Sequence, residues 1–70
     1  MNRAKQIRLD SGLGVMDTAD GAGISAKTLK KIESGDEVNA ASLARLATFW
    51  QVKPSTLLMP ALPETEQEAA

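Results

Sequence analysis

A chain of 70 residues with neither cysteine nor histidine has no disulfide and no ordinary zinc site to staple it, so packing alone must hold its fold. A domain of that size buries only about 60% of the surface its unfolded chain exposes, and short-looped helices build a core economically within that limit. The 43% apolar and 24% charged content is that of an ordinary globular domain, not of a disordered chain. The same absences remove nucleophile–base pairs built on cysteine or histidine. One Trp, one Phe and no Tyr leave no aromatic platform for stacking single-stranded bases. No apolar run approaches the roughly 20 residues of a spanning helix and no secretory apolar block follows Met1, so the expectation is a cytoplasmic chain with no membrane partner.

Apolar spacing and helix punctuation divide the chain into five helical segments, with no internal repeat and no strand pattern. Asn2 can cap a first helix that runs to Ser11 with Ala4 and Ile7 inward, and Gly12 stops it. Gly14 opens a short second helix, Val15 to Ala22, on which Val15, Met16, Ala19 and Ala22 form a narrow apolar stripe. Gly21 within it costs about 1 kcal/mol against alanine, so that helix needs tertiary support.

Gly23-Ile24 turns the chain, glycine taking positive φ there without steric cost, and Ser25 caps a third helix from Ala26 to Ser34. Leu29 and Ile32 face inward on it, Lys27, Lys30, Lys31 and Ser34 outward, and Gly35 ends it. A fourth helix starts at Asn39 or Ala40 and reaches about Gln51, with Leu43, Leu46, Ala47 and Trp50 in strict helical phase. Pro54 suits the first position of a fifth, with Leu57, Leu58 and Leu62 as its apolar edge. Pro60 and Pro63 limit it to one or two turns. The expected organisation is one all-α domain over residues 1–63, followed by a short acidic tail, 64–70, that is frayed and disordered.

The formal net charge of −1 argues at first against a polyanionic partner, but its distribution reverses the argument. Glu64, Glu66 and Glu68 all lie in the tail, and without them eight basic side chains face six acidic ones. The body is therefore net basic.

The stretch from Thr18 to Gly35 carries the function. Two helices that meet steeply need a small residue where they touch, supplied by Ala19, and a turn tolerant of positive φ, supplied by Gly23. They also need apolar anchors beyond the turn, and Ile24, Leu29 and Ile32 provide them. This is the spacing of a helix-turn-helix at the second and third helices, a motif whose second helix enters the DNA major groove by its N-terminal end.

On these residues the chain resembles the lambda-repressor-like family, also described as Cro/repressor-type or XRE-type, from about Ala4 to Leu58. Gly12-Leu13, Ala19 with Gly23-Ile24-Ser25, and Thr28-Leu29 with Ile32-Glu33-Ser34-Gly35 carry the likeness. Leu43, Leu46-Ala47, Val52, Pro54 and Leu57-Leu58 complete the register. The resemblance implies that Ala26–Ser34 is a recognition helix, with Ser25, Ala26, Lys27, Thr28, Lys30, Lys31 and Ser34 as DNA-contacting residues. Lysine can donate to guanine O6 and N7 or to phosphate, and the Ala26 methyl could meet a thymine methyl. It also implies a structural ion pair between Arg8 and Glu33, and sequence-specific regulation of transcription, most often repression, by a homodimer. Helices four and five would form the dimer contact and place two recognition helices about 34 Å apart. The chain departs from the family pattern at Val15, where Gln is usual, at Gly14 and Thr18, and at Asp36-Glu37, where a basic loop is common.

On an isolated helix the three lysines would read as a solvated face; after this turn, contact with bases or phosphates is the better reading. Trp50 is in phase with the core stripe and reads as packing. Phe49 lies off it, equally suited to a dimer contact and to partial burial under the tail. Asp17 and Asp20 share an exposed face with nothing converging on them, so no catalytic residue, metal or cofactor is expected. Under the DNA reading, contact with polymerase would allow activation instead of repression; the rival reading is the same fold used as a protein-interaction module, of antitoxin or anti-repressor type, with a protein such as a toxin as partner.

Overall fold

The computed structural model describes residues 2–61, and within them the chain is all-helical: α1 Arg3–Ser11, α2 Val15–Ala22, α3 Ala26–Ser34, α4 Ala40–Trp50 and α5 Pro54–Leu57. The expected disorder of 64–70, the boundary at 63 and the apolar role of Leu62 lie outside the described residues. None of the helices among the described residues is long and apolar enough to cross a membrane.

Local chemistry sets most helix ends. The side chains of Asn2, Ser25 and Asn39 accept hydrogen bonds from the backbone amides of Lys5, Thr28 and Ser42, at the first turns of α1, α3 and α4. Gly12, Gly23 and Gly35 close α1, α2 and α3 in the left-handed conformation that costs glycine nothing. Gln51 closes α4 in the same conformation at φ 58° without being glycine. Gly14 offers α2 no side-chain cap, so that helix is held by its neighbours.

Those neighbours are arranged in a ring. α1 packs on α3, α3 on α2, α2 on α4, α4 on α5, and α5 returns to α1. Ala4, Ala19, Ala22, Leu29, Ile32, Leu46, Ala47 and Leu57 fill the centre. Burying a large aliphatic side chain contributes about 1.5–3 kcal/mol, so Leu29, Ile32, Leu46 and Leu57, all fully buried, dominate that core. An isolated antiparallel bridge between Asn2 and Pro60 closes the ring, with the Arg3 amide donating to the Met59 carbonyl at 2.8 Å.

Two apolar assignments change. Met16 is 66% exposed, because it stands about 100° round the helix from Val15, off the face that Thr18, Ala19 and Ala22 bury. Thr18 takes its place in the interior, fully buried, with its hydroxyl lacking a hydrogen-bond partner among the described residues. Leu58 is likewise exposed, since α5 ends at Leu57 and only Leu57 points into the core.

Candidate nucleic-acid interface

α3 is the most amphipathic surface of the fold. Leu29 and Ile32 are fully buried, and this fixes the opposite face toward solvent. Lys27, Lys30, Lys31 and Ser34 line one open groove on that outward face, with Asp36 at its edge. All four are exposed, so the groove presents three ammonium groups and a hydroxyl. The remaining sequence-predicted residues behave differently. Ser25 is exposed but its hydroxyl accepts from the Thr28 amide at 3.0 Å and donates to Thr28 Oγ1 at 2.9 Å. Ala26 and Thr28 are half-buried, Ala26 packing against the core, so its methyl serves the interior.

A second groove adjoins the first. Lys5 of α1 flanks it with Lys30 and Ser34 of α3, and Arg8, Glu33 and Val15 complete its lining. Lys5 therefore extends the basic surface across two helices. Sequence reasoning missed it, since Lys5 and Lys30 share no helix. The only hint was that Lys5 is exposed on a helix whose inner side carries Ala4. Val15 lines the same groove, so the position where the related pattern places Gln offers no donor here.

The floor between these lysines is anchored by an ion pair. Arg8 Nε donates to Glu33 Oε2 at 2.7 Å and Arg8 Nη2 to Glu33 Oε1 at 3.1 Å, a two-pronged pair with both side chains buried. Arg8 Nη1 also donates to the Leu13 carbonyl at 3.1 Å, which ties the loop before α2 to the same point. The hydrogen bond to Glu33 raises the Arg8 guanidinium above its ordinary pKa against the opposing effect of burial, and the charge of Glu33 adds to the rise. Asn2 supplies a second tie, its Nδ2 donating to the Ile32 carbonyl at 2.6 Å near the end of α3. α1 thus holds α3 at two polar points while the apolar core holds it from beneath.

No family model, curated protein or solved structure matches this chain.

On the far side of α2, Phe49 covers Gly21 and stacks at a tilt on Trp50, with ring centroids 4.8 Å apart. Phe49 is half-buried against α2, a neighbour that neither the dimer contact nor the burial under the tail expected for it had named. Arg45 Nη1 donates to the Gly23 carbonyl at 3.3 Å and braces the turn that leads into α3.

Proposed function

We propose that the chain is a sequence-specific double-stranded DNA-binding regulator of transcription of the lambda-repressor-like kind, in which α2 and α3 act as a helix-turn-helix. The observation that carries this reading is the placement of Lys27, Lys30, Lys31 and Ser34 in one exposed groove on a helix whose other face is wholly buried. A major groove admits a helix presented in this way, and ammonium groups along it meet phosphate oxygens or guanine edges. Lys5 beside Lys30 adds a phosphate contact from α1. Repression would follow from occupancy of an operator by a homodimer, each copy contributing too few cations to bind tightly alone.

The test is binding to duplex DNA across a salt series. The parent chain binds at low salt with a slope of log K against log salt that reflects its phosphate contacts, about −0.9 for each. Lys27→Ala/Lys30→Ala/Lys31→Ala abolishes that binding while leaving helicity intact. A triple variant that binds as the parent does removes the reading.

One observation favours the rival. Asp36 borders the lysine groove, giving it mixed charge that suits a protein surface as well as a phosphate backbone. A protein-interaction module of antitoxin or anti-repressor type would bind no duplex at low salt.

A further inference from the structure

A third open groove, of about 330 Å³, lies between α2 and α4. The last turn of α2 contributes the bare backbone of Gly21 and the methyl of Ala22. Phe49, whose ring edge lies on Gly21, and Ala44 add apolar surface from α4. Arg45 and Thr48, three apart on α4 and both exposed, add the polar groups. Arg45 has no carboxylate partner among the described residues, where Arg8–Glu33 is the one salt bridge. Its side chain makes a single hydrogen bond there, from Nη1 to the Gly23 carbonyl at 3.3 Å, which leaves most of the guanidinium donors uncommitted.

We propose that this groove binds a small carboxylate with a flat apolar body, and that its occupancy is felt at the turn into α3. The site itself does not depend on the DNA reading; its effect on duplex binding rests on that reading.

The lining selects that chemistry. A planar guanidinium meets a carboxylate through two parallel bonds, and a hydroxyl one turn along can donate to the same group. Glycine and alanine leave the groove flat beside an aromatic edge, which suits a ring laid against Phe49. No carboxylate lines the groove, since Asp17 and Asp20 of α2 stand outside it. The lysine groove on α3 offers ammonium groups but no aromatic ring, so it suits oxyanions that lack such a body. An ion pair at an exposed site is weak alone, and burial of the apolar body supplies the remaining attraction. The coupling follows from the bond Arg45 already makes. A carboxylate is a stronger acceptor for a guanidinium than a carbonyl at 3.3 Å, so the bound ligand draws Arg45 off Gly23. The turn keeps the bond from the Ile24 amide to the Ala19 carbonyl at 3.0 Å, so the entry to α3 loosens while α2 stays folded.

The experiment titrates the full chain with benzoate, with acetate as the carboxylate that lacks a ring and benzamide as the ring that lacks a charge. Backbone amide resonances and the Arg45 Nε–H resonance are followed at fixed ionic strength. Benzoate should shift Arg45, Gly21, Ala22 and Thr48 and, through the turn, Gly23 and Ile24. Acetate and benzamide should each bind about three- to tenfold more weakly, and Arg45→Gln, at an exposed position, should weaken benzoate by about the same factor. Benzoate shifts centred on Lys27, Lys30 and Lys31, an equal response to acetate or benzamide, or unchanged binding by Arg45→Gln overturns the site. Shifts in the groove that spare Gly23 and Ile24 overturn the coupling. In parallel, saturating benzoate should weaken duplex binding by the parent chain about fivefold beyond the effect of equal acetate, and should leave Arg45→Gln unaffected. Equal duplex affinity in benzoate and acetate overturns the regulatory effect. If the parent chain binds no duplex, the DNA reading fails while the resonances still decide the site.

Discussion

The ring of Phe49 lies so close to the backbone of Gly21 that a Cβ built there would stand 2.6 Å from Phe49 Cε1 and 2.8 Å from Cζ. Glycine at this position thus lets the ring edge lie directly on α2, and any added Cβ would require the ring to shift. Gly21→Ala gains about 1 kcal/mol of helix propensity but forces the ring aside, and overpacking costs about 1–3 kcal/mol. The expected outcome is a net loss of up to about 2 kcal/mol in urea unfolding. In a Phe49→Ala background the sign should reverse, and Gly21→Ala should stabilise by about 1 kcal/mol. A loss of equal size in both backgrounds would show that the ring is not the cause.

The Arg8–Glu33 pair makes an asymmetric prediction. Glu33→Ala leaves a buried guanidinium without its carboxylate and should cost about 3–5 kcal/mol. Against a total of about 3.5–10 kcal/mol for a chain of this length, that brings the protein close to unfolding. Arg8→Met/Glu33→Leu should recover most of the loss, less the hydrogen bond Arg8 gives to Leu13. Because Arg8 is raised in the folded state, its stabilisation is fully present below the ordinary guanidinium pKa and is lost only as pH rises through the higher folded one. Alkaline titration short of that range should leave this contribution unchanged, as read by denaturant midpoints along a pH series.

Asn2 separates capping from cross-linking. Aspartate caps a helix as well as asparagine does but cannot donate to the Ile32 carbonyl. Asn2→Asp should therefore cost about 1–3 kcal/mol through that bond alone, and Asn2→Ala about 1 kcal/mol more through the lost cap. Amide exchange in the last turn of α3 should accelerate in both variants. Parent-like stability in Asn2→Asp would assign the whole effect to the cap.

Lys5 tests whether the basic surface spans two helices. Lys5→Ala and Lys30→Ala should each lower the salt slope of duplex binding by about 0.9, as expected for one phosphate contact apiece. Lys53→Ala, at the start of α5 and lining neither groove, should leave the slope unchanged. Fluorescence anisotropy of a labelled duplex over a salt series provides the comparison. A Lys5 variant indistinguishable from the Lys53 one would confine the interface to α3.

Much of the fold was legible because helix ends are chosen locally. Asn2, Ser25 and Asn39 cap through bonds to amides three residues on, and Gly12, Gly23 and Gly35 announce the reversals that follow α1, α2 and α3. Gln51 makes the same reversal with no such announcement, since nothing in its side chain demands positive φ. The outward lysines of α3 were legible for a related reason, because Leu29 and Ile32 fix which way a nine-residue helix must turn.

What periodicity alone could not supply was the identity of neighbours. Met16 and Thr18 are both plausible on a stripe of an eight-residue helix, and only the positions of α3 and α4 decide that Thr18 goes in and Met16 out. The pairing of Arg8 with Glu33 came from a resemblance, and the bond from Asn2 to Ile32 was not anticipated at all. Lys5 met Lys30 for the same reason, 25 residues apart in sequence and side by side in one groove.

The order of residues by itself determined five helices, the caps at Asn2, Ser25 and the three turn glycines, and the cationic side of the third. These depend on interactions within about four residues, which a linear text records. The closed ring of contacts, the ring of Phe49 over Gly21 and the two-helix basic surface were decided only by tertiary structure, because distances between elements are set by how all their side chains fill one shared interior.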